Sequence, residues 1–386
     1  MKIAAMSTDS GYIPRGANRT ITEISKYLRK WGHEVDVYGP GDANGTIKVK
    51  TLARGTIGRT ILDKFLKITR LRWLLFYIPL PLDELGMFSA LFYLKLLMRG
   101  KKYDVVWTNT ERMGCTYGRL YRFFTKTPIV STGHSGGPSE RYGLRENPDG
   151  WNAIDLKTWN LIQRHPDVLK NTIIKYIQSG VPLDTFTIDG KKLSESEIKN
   201  LAHKKNIKIE RPIVICTAAI VKRKGIDKTI RAVAKMKKGT LILSSDGNER
   251  ENLVKLGDEL LGERFVYLGV LSDYNLARLN RTADVVTLMF EPNSESFGAI
   301  IAEGMACGTP VVTRNDSTRQ HVVGDAGILI NSDDPETYAS ALEKASVKKW
   351  NKNKIRNQAE KFSWEKAAKK YEDLFMEVRK KSHHII

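Results

Sequence analysis

The stretch from Glu291 to Val312 constrains this chain more than any other. The run from Asp284 to Phe290 ahead of it is continuously apolar and β-branched, as expected of a strand covered on both faces of a parallel sheet. Pro292, Asn293 and Ser294 supply turn chemistry, and Ser294 or Ser296 is placed to cap a helix in which Ile300, Ile301 and Met305 recur at helical spacing. Gly308 stops that helix, and the next strand follows. A helix that starts at a strand's carboxyl end presents free backbone N–H groups and a positive dipole end, a site for phosphate. Gly298 would let a ligand approach closely. Glu295 lies just before the helix and Glu303 on its second turn, so both carboxylates can face one crevice, where paired acceptors suit sugar and ribose hydroxyls. The alternative is two solvated glutamates on an ordinary surface helix.

The pattern E-x-F-G with a second Glu eight residues after the first, followed by G-x-M-A-x-G-T-P-V-V, resembles the retaining family 4 glycosyltransferases. The resemblance implies an α/β chain of the GT-B fold, two Rossmann-like α/β domains facing a central cleft. The first would span 1–183 on the acceptor side and the second 184–364 on the nucleotide-sugar side. A last helix, 365–386, would cross back to the first domain. A length of 386 residues suits two domains with a core each.

Elsewhere the chain follows the same scheme. Lys2 to Ser7, a glycine-containing loop, a helical stretch from Thr20 to Trp31 and Gly32 to Tyr38 read as strand, loop, helix and strand. The dinucleotide fingerprint G-x-G-x-x-G is absent, which argues against a nicotinamide enzyme. Where the family has a Gly-Gly pair near the donor phosphates and the acceptor, this chain has Arg15-Gly16. Pro128 to His134 reads as a strand with His134 at its carboxyl end, where open α/β sheets bind ligands. It matches the family's T-x-H, whose His lies beside the transferred sugar. The loop 135–139 is a candidate for shaping an acceptor pocket.

In the second half, Lys222-Arg223-Lys224-Gly225 matches part of the family's G-R-x-x-x-x-K-G, whose Arg and Lys neutralise the leaving diphosphate. Lys224 fits. The arginine position holds Ala219, which leaves Arg223 and Lys222 as candidate replacements. Ser244-Ser245-Asp246-Gly247 follows a strand and matches the family's G-x-G turn, with Ser245 in place of the first glycine.

Composition bears on partners. The formal net charge is +20, with most of the excess in the first 183 residues. In residues 53–78, Arg54, Arg59, Lys64, Lys67, Arg70 and Arg72 interleave with Ile57, Ile61, Phe65, Ile68, Trp73 and Leu75. Basic, aromatic and amphipathic character together suit an interfacial helix on an anionic membrane, and a core-packed helix with solvated lysines is the other reading. No recognised module makes nucleic acid a partner. Phe88 to Met98 is apolar nearly all round and reads as a buried helix. Three scattered cysteines fit a reducing compartment, and Lys2 to Met6 opens as a strand rather than a signal peptide. The expectation is a cytoplasmic protein, peripheral on the inner membrane face.

The resemblance implies sugar transfer with retention from a nucleotide-sugar to a lipid-linked or glycan acceptor, without a metal or other cofactor. It implies a reacting centre at His134, Lys224 and Glu295. The donor would be held by Gly16, Arg223, Gly247, Ser296, Phe297, Gly298 and Glu303. A soluble small-molecule acceptor, an epimerase or phosphorylase, and a non-catalytic nucleotide-sugar-binding subunit are the alternatives.

Overall fold

The structure, a computed structural model, describes residues 1–7, 16–40, 46–49, 84–134, 138–163, 171–204, 206–292 and 294–383. The segment 53–78, Arg15 and residues 135–137 lie outside them. The backbone divides into two compact units, one formed by Met1–Ser179 with Trp364–Ile386 and the other by Gly180–Ser363.

The first unit is built on seven parallel strands: β1 (Lys2–Met6), β2 (Glu34–Gly39), β3 (Thr46–Lys48), β4 (Val105–Thr108), β5 (Ile129–Gly133), β6 (Gly150–Ala153) and β7 (Ile173–Tyr176). Their order is β3-β2-β1-β4-β5-β6-β7. The second unit has β8 (Ile213–Cys216), β9 (Thr240–Leu243), β10 (Phe265–Tyr267), β11 (Val285–Leu288), β12 (Val311–Arg314) and β13 (Gly327–Ile330), ordered β10-β9-β8-β11-β12-β13. In each sheet the winding reverses, between β1 and β4 and between β8 and β11. In an open α/β sheet that reversal opens a crevice at the strands' carboxyl ends.

Strands such as Val285–Leu288 and Ile213–Cys216 are buried throughout, because helices cover both faces. In the second unit, helix Ala299–Ala306 supplies Ile301 and Met305 to one core, and helices Ile226–Lys235 and Pro335–Val347 supply Ile230, Tyr338 and Leu342 to the other. In the first, helices Glu84–Arg99 and Glu111–Thr125 cover one face.

Helix Gly16–Lys30 and the last helix, Trp364–His383, cover the opposite face. Trp364, Ala368, Tyr371, Phe375 and Val378 recur at helical spacing and are buried. The Trp107 ring lies 4.8 Å from Tyr371 and 5.5 Å from Phe375. His33 bonds Glu372 at 2.6 Å, so this histidine ties the turn before β2 to the last helix.

The helix Glu84–Arg99 departs from the sequence expectation. Phe88, Phe92, Tyr93 and Leu96 are buried, but Leu94, Leu97 and Met98 are exposed. A run that is apolar all round says that a helix can be buried, and only the sheet decides which side is.

The Tyr371 hydroxyl sits in the core, 3.0 Å from Thr132 Oγ1, and accepts from Asn152 Nδ2 at 2.7 Å. Tyr371→Phe keeps the packing and removes both bonds, so we expect it to cost about 1–3 kcal/mol, measured by urea denaturation.

Candidate active site

At the reversal of the second sheet, the chain leaves β8 through Thr217 to Val221 and makes a 3-10 turn at Lys222–Lys224 before helix Ile226–Lys235. Gly225 ends the turn at φ +57°, and a Cβ there would lie 2.0 Å from the Met289 carbonyl oxygen. Only glycine allows this approach between the loops after β8 and β11. Hydrogen bonds then join them. Glu291 N–H donates to the Arg223 carbonyl at 2.9 Å, and the Arg223 guanidinium donates to the Ser294 carbonyl at 2.9 Å. The Ser294 hydroxyl reaches the carbonyls of Arg223 and Glu291 at 2.9 and 2.7 Å.

This join brings Lys224 and Glu295, 71 residues apart, into an ion pair. Both side chains are largely buried, at 13% and 12% exposure. The second carboxylate oxygen of Glu295 accepts from Gly298 N–H at 3.2 Å. An ammonium, a carboxylate and a backbone N–H therefore converge at the carboxyl edge of β8 and β11.

The serine cap expected for this helix does not form. Helix Ala299–Ala306 has Gly298 as its N-cap, at φ +78°, and no serine side chain caps it. Ser294 spends its hydroxyl on the two carbonyls of the loop join, and the Glu295 carboxylate takes the Gly298 N–H, which the dipole at a helix start favours. The strand is also shorter than expected, ending at Leu288, whereas the helix stops where expected, with Cys307 as its C-cap and Gly308 next at φ +75°.

The other candidates divide between the units. Phe297 is buried, its ring 5.7 Å from Phe362, so it anchors the helix start and offers a ligand its backbone only. The Ser296 carbonyl accepts from Arg319 at 3.3 Å. Glu303 is buried on helix Ala299–Ala306. Gly247, beyond β9, lies so close to Ile220 that a Cβ would meet its carbonyl oxygen at 2.1 Å, which puts the loop after β9 beside the loop after β8. Ser245, at the resemblance's glycine position, has φ +154°. In the first unit, Gly16 opens the helix after β1, and His134 follows β5 directly and is half-buried.

Sequence reasoning missed Arg319, a fully buried guanidinium at 2% exposure. It forms a bidentate pair with Asp316, donates to the Glu295 carbonyl at 2.8 Å, and lies 4.5 Å over the Phe290 ring. The only local signal is Asp316 three residues earlier, capping helix Ser317–Val323.

Charged groups also brace the site from behind. Lys228 pairs with Glu291 at 2.8 Å and Asp333 at 2.9 Å, and Arg314 donates to the Phe290 carbonyl at 2.8 Å and pairs with Asp333. Burial works to raise the Asp333 carboxyl, but Lys228 and Arg314 outweigh it and hold the group below its ordinary value. Burial pushes the Cys216 thiol up to about 11 and Cys307 to about 12, so neither supplies a thiolate near neutral pH.

The profile described as Glycosyltransferase Family 4 matches residues 14–169, and that described as Glycosyl transferases group 1 matches residues 197–362. The chain resembles the D-inositol 3-phosphate glycosyltransferase of Mycobacterium marinum, at 24% identity over 361 residues, 85% of this chain and 72% of the relative. HepE from Anabaena, solved with UDP-glucose, superposes with a TM-score of 0.69 at 20% identity over 97% of this chain and 98% of HepE. WaaG, a glycosyltransferase involved in lipopolysaccharide biosynthesis, does so with a TM-score of 0.61 at 17% identity over 98% of both chains. Two Rossmann-like parallel sheets of this kind define the GT-B fold. With the profiles matching both halves, the chain belongs to the family 4, group 1 glycosyltransferases.

Arg319→Met should cost about 2–4 kcal/mol in thermal or urea unfolding, because the Glu295 and Ser296 carbonyls and Asp316 all lose their buried donor.

Proposed function

We propose that this glycosyltransferase takes a hexose from a nucleotide-sugar and transfers it with retention at the anomeric carbon. The observation that carries the proposal is the Lys224–Glu295 pair set against the Gly298 N–H at the reversal of the second sheet. Negative charge grows on the diphosphate as the sugar departs, and a fixed ammonium beside backbone N–H groups at a helix start stabilises that charge. In this reading Glu295 receives the donor sugar's hydroxyls, and Glu303 the ribose. Gly247, Ser296, Phe297 and Gly298 approach the donor through backbone. Gly16 and Arg223 are assigned to its phosphates and His134 to the side of the transferred sugar, on the resemblance alone. HepE, solved with UDP-glucose, supports a nucleotide-sugar donor.

For the acceptor, the favoured reading is a lipid-linked or glycan substrate at the cytoplasmic membrane face, in keeping with the charge of +20. No described helix is long and apolar enough to cross a membrane. A soluble phosphorylated polyol is the second reading, favoured by the relative named for inositol 3-phosphate. A thermal-shift panel of UDP-, GDP- and ADP-sugars, followed by transfer to extracted lipid and to inositol phosphate, separates the two. Epimerised donor without acceptor, or no turnover at all, would contradict transfer.

Lys224→Ala should lower kcat about 10²–10³-fold while changing donor affinity less, because its interaction strengthens as the leaving group charges. Glu303→Ala should instead weaken donor binding about tenfold or more by removing a charged acceptor from ribose. Steady-state kinetics and donor titration of the two variants check this contrast.

A further inference from the structure

Helices Glu84–Arg99 and Glu111–Thr125 lie side by side on one face of the first sheet. They are joined by Tyr93, whose ring is 5.5 Å from Tyr121 and whose hydroxyl donates to the Gly114 carbonyl at 2.8 Å. At this joint and over the helical turn beyond it, apolar side chains point outward. Leu94, Leu97 and Met98 on one helix and Leu120, Phe123 and Phe124 on the other are between 45% and 79% exposed. Leu97 lies four residues after Tyr93 and Phe124 three after Tyr121, so the seam between the helices continues into these side chains. Isolated exposed apolar residues are ordinary in a soluble protein, but six of them flanking one seam are not.

Cations flank the same surface. Lys102 and Lys126 form no ion pair with a carboxylate among the described residues, and the Lys126 ammonium lies 5.6 Å from the Phe123 ring centre, while the Lys95 ammonium donates to the Lys48 carbonyl and the Arg99 guanidinium donates to the Tyr38 hydroxyl at 3.2 Å near the Asp36 carboxylate. By contrast Arg119, Arg122 and Lys101 are paired with Glu146, Asp149 and Asp36. Leucine, methionine and phenylalanine beside lysines held in no ion pair are what the interface of an anionic bilayer accommodates, with side chains among the acyl tails and cations at the phosphates. A second copy docked symmetrically here would bring these cations against themselves, and four of the six apolar side chains are not aromatic, which leaves nucleic-acid bases only Phe123 and Phe124 to stack on.

We propose that this face of the first unit seats on an anionic membrane. The surface lies at the ends of the two helices that lead into the starts of β4 and β5. His134 lies at the opposite, carboxyl edge of the same sheet, so seating leaves that edge uncovered. The inference does not depend on the sugar donor and is distinct from the segment 53–78.

The test is co-sedimentation with vesicles of phosphatidylcholine alone and of phosphatidylcholine mixed with phosphatidylglycerol, at low and high salt. The native chain is expected to pellet with the mixed vesicles and to be released by salt. Combining Leu97→Gln, Phe123→Ser and Phe124→Ser should reduce partitioning more than about tenfold. Lys102→Gln and Lys126→Gln should each reduce it about fivefold at low salt. Circular dichroism establishes that the variants are folded. A folded triple variant that partitions like the native chain overturns the proposal. So does a native chain that ignores mixed vesicles, or binding lost only when Lys64, Lys67, Arg70 and Arg72 become Gln. Concentration-dependent dimerisation abolished by the triple variant would give the face to a second copy and also overturn it.

Discussion

The contact between Gly225 and the Met289 carbonyl is the constraint on which the site depends. Any side chain at 225 would push the loop after β8 away from the loop after β11. With the loops in contact, the carbonyl of Arg223 receives both the Glu291 N–H and the Ser294 hydroxyl, and its guanidinium closes on the Ser294 carbonyl. Lys224 and Glu295 meet because their neighbours on both sides are already fixed. Their ion pair is a consequence of backbone geometry, and its largely buried position makes each charge sensitive to what else enters.

The parallel sheet supplies the rest of the arrangement. Helices on both faces bury β8 and β11 completely, so the charged side chains beside them are confined to the strand ends. The helix that begins at Ala299 adds N–H groups there, and Arg319 holds the carbonyls of Glu295 and Ser296 from beneath. A buried guanidinium between a carboxylate and two carbonyls limits how far the Glu295 loop can move. That rigidity suits the proposed role of stabilising charge that appears only during reaction.

Much of this was legible in the sequence because the second unit's chemistry is concentrated in one short stretch, and a strand, turn and helix can be read from apolar runs and turn residues. The caps were not legible. Ser294 has the composition of a cap, and it is drawn away by carbonyls, one of which lies 71 residues distant in sequence. Arg319 was missed for a related reason: on a short helix, an arginine reads as solvated unless the tertiary structure shows Phe290 and the Glu295 carbonyl above it. In the helix Glu84–Arg99, apolar residues all round hid which side the sheet would leave exposed. Ser245 stands where the resemblance has glycine and has φ +154°, a backbone course that its identity alone does not signal.

The central claim is that the ammonium of Lys224 serves the diphosphate of a nucleotide-sugar. The most direct measurement is calorimetric titration of native protein and Lys224→Met with a nucleoside, its monophosphate and its diphosphate, using the base that best raises the melting temperature. The account predicts that the variant binds the nucleoside like the native chain and loses affinity for the diphosphate, with the deficit falling as salt is raised. An equal loss for nucleoside and diphosphate, or no loss for either, would contradict it.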